Sequence, residues 1–258
     1  MPPTSTLRDE TRVPGGTRLR LDLQVGGVSV PAVLHLPSVS PGVRVPAALL
    51  LHGYSSRGDV MADSVGTALL RRGVASLAPD LPLHGTRGNP LELQSLRNPL
   101  EVARLWRLAL REGEAGVEYL RAHPAVRPDG VAVVGYSLGS FLGVTLAARS
   151  GEVRALVLAA GGDLPLGTPL TAVARAIVDP PRAARSLAGC PLLMVNGRHD
   201  PVIRPEQAER LFNAAGQPKE LRWWDGGHSV PQAVVEDAAE WLARHLREGE
   251  RARPAPPR

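Results

Sequence analysis

The spacing of hydrophobic residues changes along this chain, and each change marks a different kind of element. Residues 17–27, TRLRLDLQVGG, alternate polar and apolar, and VSVPAVLHLP follows the Gly-Gly turn. A two-residue period predicts an antiparallel hairpin with one wet face. Five later runs are continuously apolar: PAALLLHG, GVASLAPD, GVAVVGYS, VRALVLAAGG and PLLMVNGRHD. Short unbroken runs of this kind predict strands buried on both faces. A last strand lies in KELRWWDGG, where Trp223 and Trp224 fall on opposite faces. Between the runs the period lengthens to that of a helix, over about 59–72, 99–122, 138–150, 205–215 and 231–247. In the last of these Val234, Ala238, Trp241, Leu242 and Leu246 form one stripe. Gly73 stands where the first should be capped. Strand and helix in alternation predict an α/β fold, with a mostly parallel central sheet and helices on both faces.

One connection breaks the rhythm. Residues 161–190 are longer than a simple crossover and rich in Pro and Gly. Within them Leu170, Val173, Ala174, Ile177 and Val178 recur at helical spacing, which fits both a crossover helix and a small lid. The ends, 1–16 and 249–258, are polar and read as flexible segments around one domain over 17–248.

Charge and cysteine content narrow the partners. The net charge is +5, carried almost wholly by arginine, with Lys219 the single lysine. The arginines alternate with acids, as in EQAERLF, and form no basic stripe, so no nucleic-acid partner is expected. Cys190 is the one cysteine, which excludes an internal disulfide and any cysteine-rich metal site. It precedes an apolar strand, where a buried, inert thiol is expected. His35, His123 and His245 have no metal-ligand spacing. The start, MPPTSTLRDETRVPGG, does not read as a signal peptide. No apolar run reaches the roughly 20 residues of a membrane span. A cytoplasmic protein with no membrane partner is the expectation.

The chemistry centres on VAVVGYSLGSFLG, residues 131–143, where Ser137 sits in a G-x-S-x-G pattern. With 27 glycines in 258 residues, that pattern alone would arise by chance in roughly one such chain in seven. Context adds the missing weight. Ligands of open α/β sheets bind at the carboxyl ends of the strands. Those ends here deliver His52-Gly53-Tyr54, then Gly135-Tyr136-Ser137-Leu138-Gly139, then Arg198-His199-Asp200, then His228. A serine, an aspartate and a histidine arrive in that order, which distinguishes α/β-hydrolases from other serine-hydrolase folds.

These residues resemble the α/β-hydrolase superfamily over about 17–248. HGYSS and the preceding LL look most like its esterase and dienelactone-hydrolase-like branch, related to the catalytic domains of prolyl-oligopeptidase-type enzymes. The resemblance implies that Ser137 is the nucleophile, His228 its base and Asp200 the acid orienting that base. Asp163, after the preceding strand, is where some relatives place the acid, so it stays an alternative. Backbone N–H groups of Leu138 and Tyr54 are implied as the oxyanion hole. His52, Asp80 and His84 are read as structural, His199 as a loop residue, and Asp225 as too near His228 in sequence to serve it.

The expected activity is hydrolysis of small-molecule carboxylic esters of short to medium acyl chain, through an acyl-enzyme, with no cofactor or metal. Peptidase or amidase and thioesterase or acyltransferase activities could use the same residues. A non-catalytic ligand-binding protein on this fold is the alternative of another class.

Overall fold

Alternation along the buried strands sends neighbouring residues to opposite faces of one sheet. In β4 (Val45–Leu51) and β6 (Val126–Tyr136), Leu49, Leu51, Val131 and Val133 join one core. Ala48, Leu50, Ala132 and Val134 join the other. All eight are at most 5% exposed, which is why these runs carry no polar positions. The computed structural model describes residues 2–95, 98–165, 174–187 and 189–251.

Among the described residues the remaining strands are β1 (Thr4–Val13), β2 (Gly16–Val25), β3 (Val28–Pro37), β5 (Ala75–Pro79), β7 (Leu156–Ala159), β8 (Leu192–Gly197) and β9 (Lys219–Trp224). They form one sheet in the order β1-β2-β3-β5-β4-β6-β7-β8-β9. The first three run antiparallel to their neighbours, and β5 to β9 with β4 are mutually parallel. All parallel strands therefore open their carboxyl ends on one edge.

Among the described residues two helices cover one face. The segment α1, 58–70, is α-helical over Gly58–Met61 and Thr67–Leu70 with a π-helical turn, Ala62–Gly66, between them. It ends in a Schellman motif: Gly73 takes φ +72°, its N–H donates to the Leu70 carbonyl, and Val74 N–H donates to Leu69. The opposite face carries α2 (Pro99–Ala122), α3 (Leu138–Arg149), α4 (Pro180–Arg185) and α5 (Pro205–Ala214). Asn98 caps α2 by accepting from Leu100 N–H, with Pro99 at the first helical position. The last helix, α6 (Gln232–Arg251), returns to the α1 side through Ala238, Trp241, Leu242 and Leu246. Trp224 is buried on this side, whereas Trp223 packs on the other.

Two expectations are corrected. The flexible N-terminal segment 1–16 holds a strand, β1, which pairs with β2 from Thr4↔Gln24 to Val13↔Gly16. Its side chains are exposed on both faces, so it has no apolar pattern to read; ladder hydrogen bonds and an Arg8–Asp22 ion pair hold it. Where a flexible tail is expected from 249, α6 continues to Arg251. Its apolar stripe ends at Leu246, but Arg and Glu continue a helix well. Residues 252–258 lie outside the described residues. Of the helical stripe in 161–190, Leu170 and Val173 also lie outside them, while 174–177 make a helical turn ahead of α4.

Candidate active site

Ser137 stands between β6 and α3 with φ 51° and ψ −110°, a left-handed conformation that costs a non-glycine residue of order 1–3 kcal/mol. The turn is that sharp because two glycines permit it. A Cβ on Gly135 would lie 2.3 Å from the Gly139 carbonyl oxygen, and one on Gly139 would lie 1.9 Å from the Leu51 oxygen. Ser137 N–H donates to Ala159 O, and the Ser140 hydroxyl donates to Ser137 O at 2.6 Å. The side chain is thereby fixed at the edge where β4, β6, β7, β8 and β9 end.

His228 arrives from the loop after β9. That loop lies over the end of β8 because Gly197 has no side chain: a Cβ there would sit 2.3 Å from Gly227 O. His199 N–H holds Gly226 O in the same place. The result is a continuous line of polar contacts. His228 Nε2 is 2.9 Å from Ser137 Oγ, and His228 Nδ1 is 2.8 Å from Asp200 Oδ2. Asp200 is fully buried in its side chain, and its other oxygen accepts from Val202 and Ile203 N–H at 2.8 and 3.0 Å. Both carboxylate oxygens are thus occupied, and the buried charge is compensated. The Tyr136 hydroxyl donates to the His228 carbonyl at 3.1 Å. Burial and the nearby Asp200 charge raise the Tyr136 phenol above its ordinary range, which keeps that donor protonated.

The Gly53-Tyr54 turn presses against this line. A Cβ on Gly53 would lie 2.8 Å from the Tyr136 ring and 3.4 Å from Ser137 Cβ. Tyr54 is fixed at both ends: its hydroxyl donates to Pro90 O at 2.8 Å, and its carbonyl lies 2.7 Å from His84 Nε2. Leu138, the first residue of α3, has an N–H without an intrahelical acceptor. Two apolar recesses reach the chain neighbours of Ser137. One, of about 250 Å³, is lined by Tyr136; the other, of about 130 Å³, is lined by Leu138, Leu142 and Trp106.

The other residues singled out from the sequence fall elsewhere. Asp163 is clamped by Arg175, with contacts of 2.9 and 3.1 Å, and by Arg210 at 3.0 Å, and pairs with no histidine. His199 pairs with Asp225 on the surface. Asp80 accepts from Gly58 N–H, and burial raises its carboxyl above the usual range. Burial pushes the Cys190 thiol up to about 11, so it stays protonated at neutral pH. Among the described residues no group of three or more His, Cys, Asp or Glu is placed to hold a metal ion, and no helix is long and apolar enough to cross a membrane. Sequence reading missed Gly197, Ser140 and the Tyr136 hydroxyl, each a small residue or single atom acting on the backbone of the site.

His52 supports the turn from beneath: Nδ1 meets Gly53 O at 2.9 Å and Nε2 accepts from Leu81 N–H at 3.0 Å. Burial pushes its imidazole down to about 4 from 6.5. The unfolded chain therefore binds a proton there that the folded chain refuses. The stability this residue contributes is complete above pH 6.5 and is lost as pH falls toward 4, by roughly 3 kcal/mol in all. Urea midpoints should fall between pH 7 and 4.5, and His52→Asn should flatten that slope while lowering stability at pH 7. An unchanged slope would remove His52 from this account.

A mostly parallel sheet with a serine on its strand-to-helix turn defines an α/β-hydrolase, and solved structures share that fold. A cold-adapted esterase from an Arctic intertidal metagenomic library, in its PEG-bound complex, superposes with a TM-score of 0.74 at 23% identity, covering 93% of this chain and 99% of that one. Acetyl xylan esterase 1 from Thermoanaerobacterium sp. JW/SL YS485 does so at 0.78 and 20%, covering 95% and 89%. The chain belongs to the FSH1 serine hydrolase family, whose model matches residues 106–238. It is 34% identical to carboxymethylenebutenolidase of Rhodococcus opacus over 134 residues, 50% of this chain and 49% of that protein. It is 27% identical to polyketide transferase ATR5 of Stachybotrys chlorohalonatus over 120 residues, 46% of this chain and 37% of that one. The chain spans less than half the length of these curated relatives.

Proposed function

We propose that the protein hydrolyses small carboxylic esters through Ser137, His228 and Asp200, within one catalytic domain. The observation that carries this reading is the unbroken line Ser137 Oγ–His228 Nε2 and His228 Nδ1–Asp200 Oδ2, at 2.9 and 2.8 Å. Ser137 Oγ attacks the ester carbonyl carbon while its proton passes to His228 Nε2. The negative oxygen accepts from the Leu138 and Tyr54 N–H groups, donors already oriented before charge develops. The ester C–O bond then breaks, and the alcohol oxygen takes the proton from Nε2. Water repeats the sequence on the acyl-enzyme: its proton goes to Nε2, the acyl–Oγ bond breaks, and Oγ regains the proton as the acid leaves. Asp200 keeps the proton on Nδ1 and stabilises the imidazolium that forms twice in each cycle.

A fluorophosphonate probe tests the reading directly. It should modify Ser137 stoichiometrically, with the adduct found on the peptide containing VAVVGYSLGSFLG, and heat-denatured protein should be inert. Folded protein that takes no label, or takes it at another residue, would reject it.

A further inference from the structure

We propose that the cavity between the sheet and helices α1 and α6 holds the unbranched alkyl chain of the ester, a proposal that rests on the ester-hydrolase reading. The cavity has a volume of about 250 Å³. Val157 and Val195, near the ends of β7 and β8, line it from the sheet. Met61 and Val65 line it from α1, and Val234 and Ala238 from α6. Among the described residues no charged side chain lines it.

Its place beside the reacting groups follows from chain neighbours. Tyr136 lines the cavity and precedes Ser137, while its ring centre lies 5.5 Å from that of His228. Ser229, next to His228, and Ser56, two residues after Tyr54, line it as well. Val60 on the rim is 47% exposed. Ser56, Tyr136 and Ser229 thus set the cavity against the three chain segments that carry Tyr54, Ser137 and His228.

The void is built into both helices. The π-helical turn Ala62–Gly66 widens α1 just where Ser64 and Val65 face the cavity, and such turns recur at functional sites. On α6, Ala238 and Ala239 line the cavity, whereas Trp241 and Leu246 fill the same face farther along. Interiors normally pack without such gaps, and unfilled apolar volume destabilises a fold. A dry apolar cavity of about 150 Å³ accepts benzene, so about 250 Å³ accommodates a chain of up to roughly ten carbons. The lining repels charged or strongly hydrated groups. An alkyl chain satisfies position, volume and polarity together.

The chain can belong to the acid or to the alcohol, and the test separates the two. Hydrolysis of 4-nitrophenyl esters should grow more efficient from acetate to octanoate and fall again by dodecanoate. Methyl octanoate compared with octyl acetate then shows which half of the ester enters. Ala238→Phe, which fills the cavity, and Val60→Trp, which closes its exposed rim, should each reduce the octanoate-to-acetate ratio of kcat/KM at least tenfold. An unchanged ratio in folded Val60→Trp protein would overturn the proposal even if Ala238→Phe failed to fold. One arm needs no catalysis: 1-octanol should raise the Tm of Ser137→Ala protein but not of Ser137→Ala carrying Val60→Trp. Stabilisation by octanol in a protein without esterase activity would keep the cavity's role and reject the hydrolase reading. Ester turnover indifferent to chain length, with no octanol effect, would reject the cavity's role alone.

Discussion

Ser137→Ala should lower kcat for a short aryl ester by about 10⁶ and leave the Tm nearly unchanged. The hydroxyl is the only group lost. Among the described residues its hydrogen bond is to His228 Nε2, and alanine bears the φ of 51° as well or badly as serine does. The fold has no reason to move. The reaction does, since among the described residues the oxygen at the end of the His228–Asp200 line is that of Ser137. Any residual rate of about 10³ over water would come from the Leu138 and Tyr54 N–H groups proposed to hold the oxyanion, and from binding. His228→Ala should cost nearly as much, and the double variant little more, because the proposed nucleophile and base would act as one unit. Steady-state kinetics with active-site titration reads all three. A Ser137→Ala enzyme retaining more than 1% of its activity would place the nucleophile elsewhere.

The sequence disclosed the parts of this molecule that depend on hydrophobic burial or on strand ends. The five apolar runs became β4 to β8 because strands covered on both faces have few polar positions to confuse the pattern. The parallel sheet then brought Ser137, Asp200 and His228, up to 91 residues apart, to one edge. What stayed hidden depends on backbone geometry or long-range pairing. The strand β1 buries nothing, so its ladder with β2 left no mark in hydrophobicity. The π-helical turn in α1 adds no residue type that a helix would lack. Gly197 is one glycine among 27, and only the approach of Gly227 O shows why no side chain fits there. The choice between Asp163 and Asp200 was open for the same reason. Both follow buried strands, and only their partners differ: two arginines for the first, a histidine and two N–H groups for the second.

Asp200→Asn is the substitution with the next largest expected effect, a fall of about 10⁴ in kcat with KM little changed. The direction follows from the hydrogen bonds. One Asp200 oxygen accepts from Val202 and Ile203 N–H, so the asparagine carbonyl must take that side to keep both bonds. Its NH₂ then faces His228 Nδ1 and donates where Asp200 accepted. An imidazole that accepts at Nδ1 carries its proton on Nε2, where it meets Ser137 Oγ as a donor and cannot remove the hydroxyl proton. The serine remains 2.9 Å away and substrate still binds, so the loss falls on kcat. Asp163→Asn separates this effect from a general disturbance of the sheet edge. It weakens the grip of Arg175 and Arg210, which should lower the Tm while kcat stays within a few-fold of the wild type. A 10⁴-fold loss in Asp163→Asn with near-normal Asp200→Asn would exchange the two roles, and small losses in both would remove the carboxylate from the mechanism.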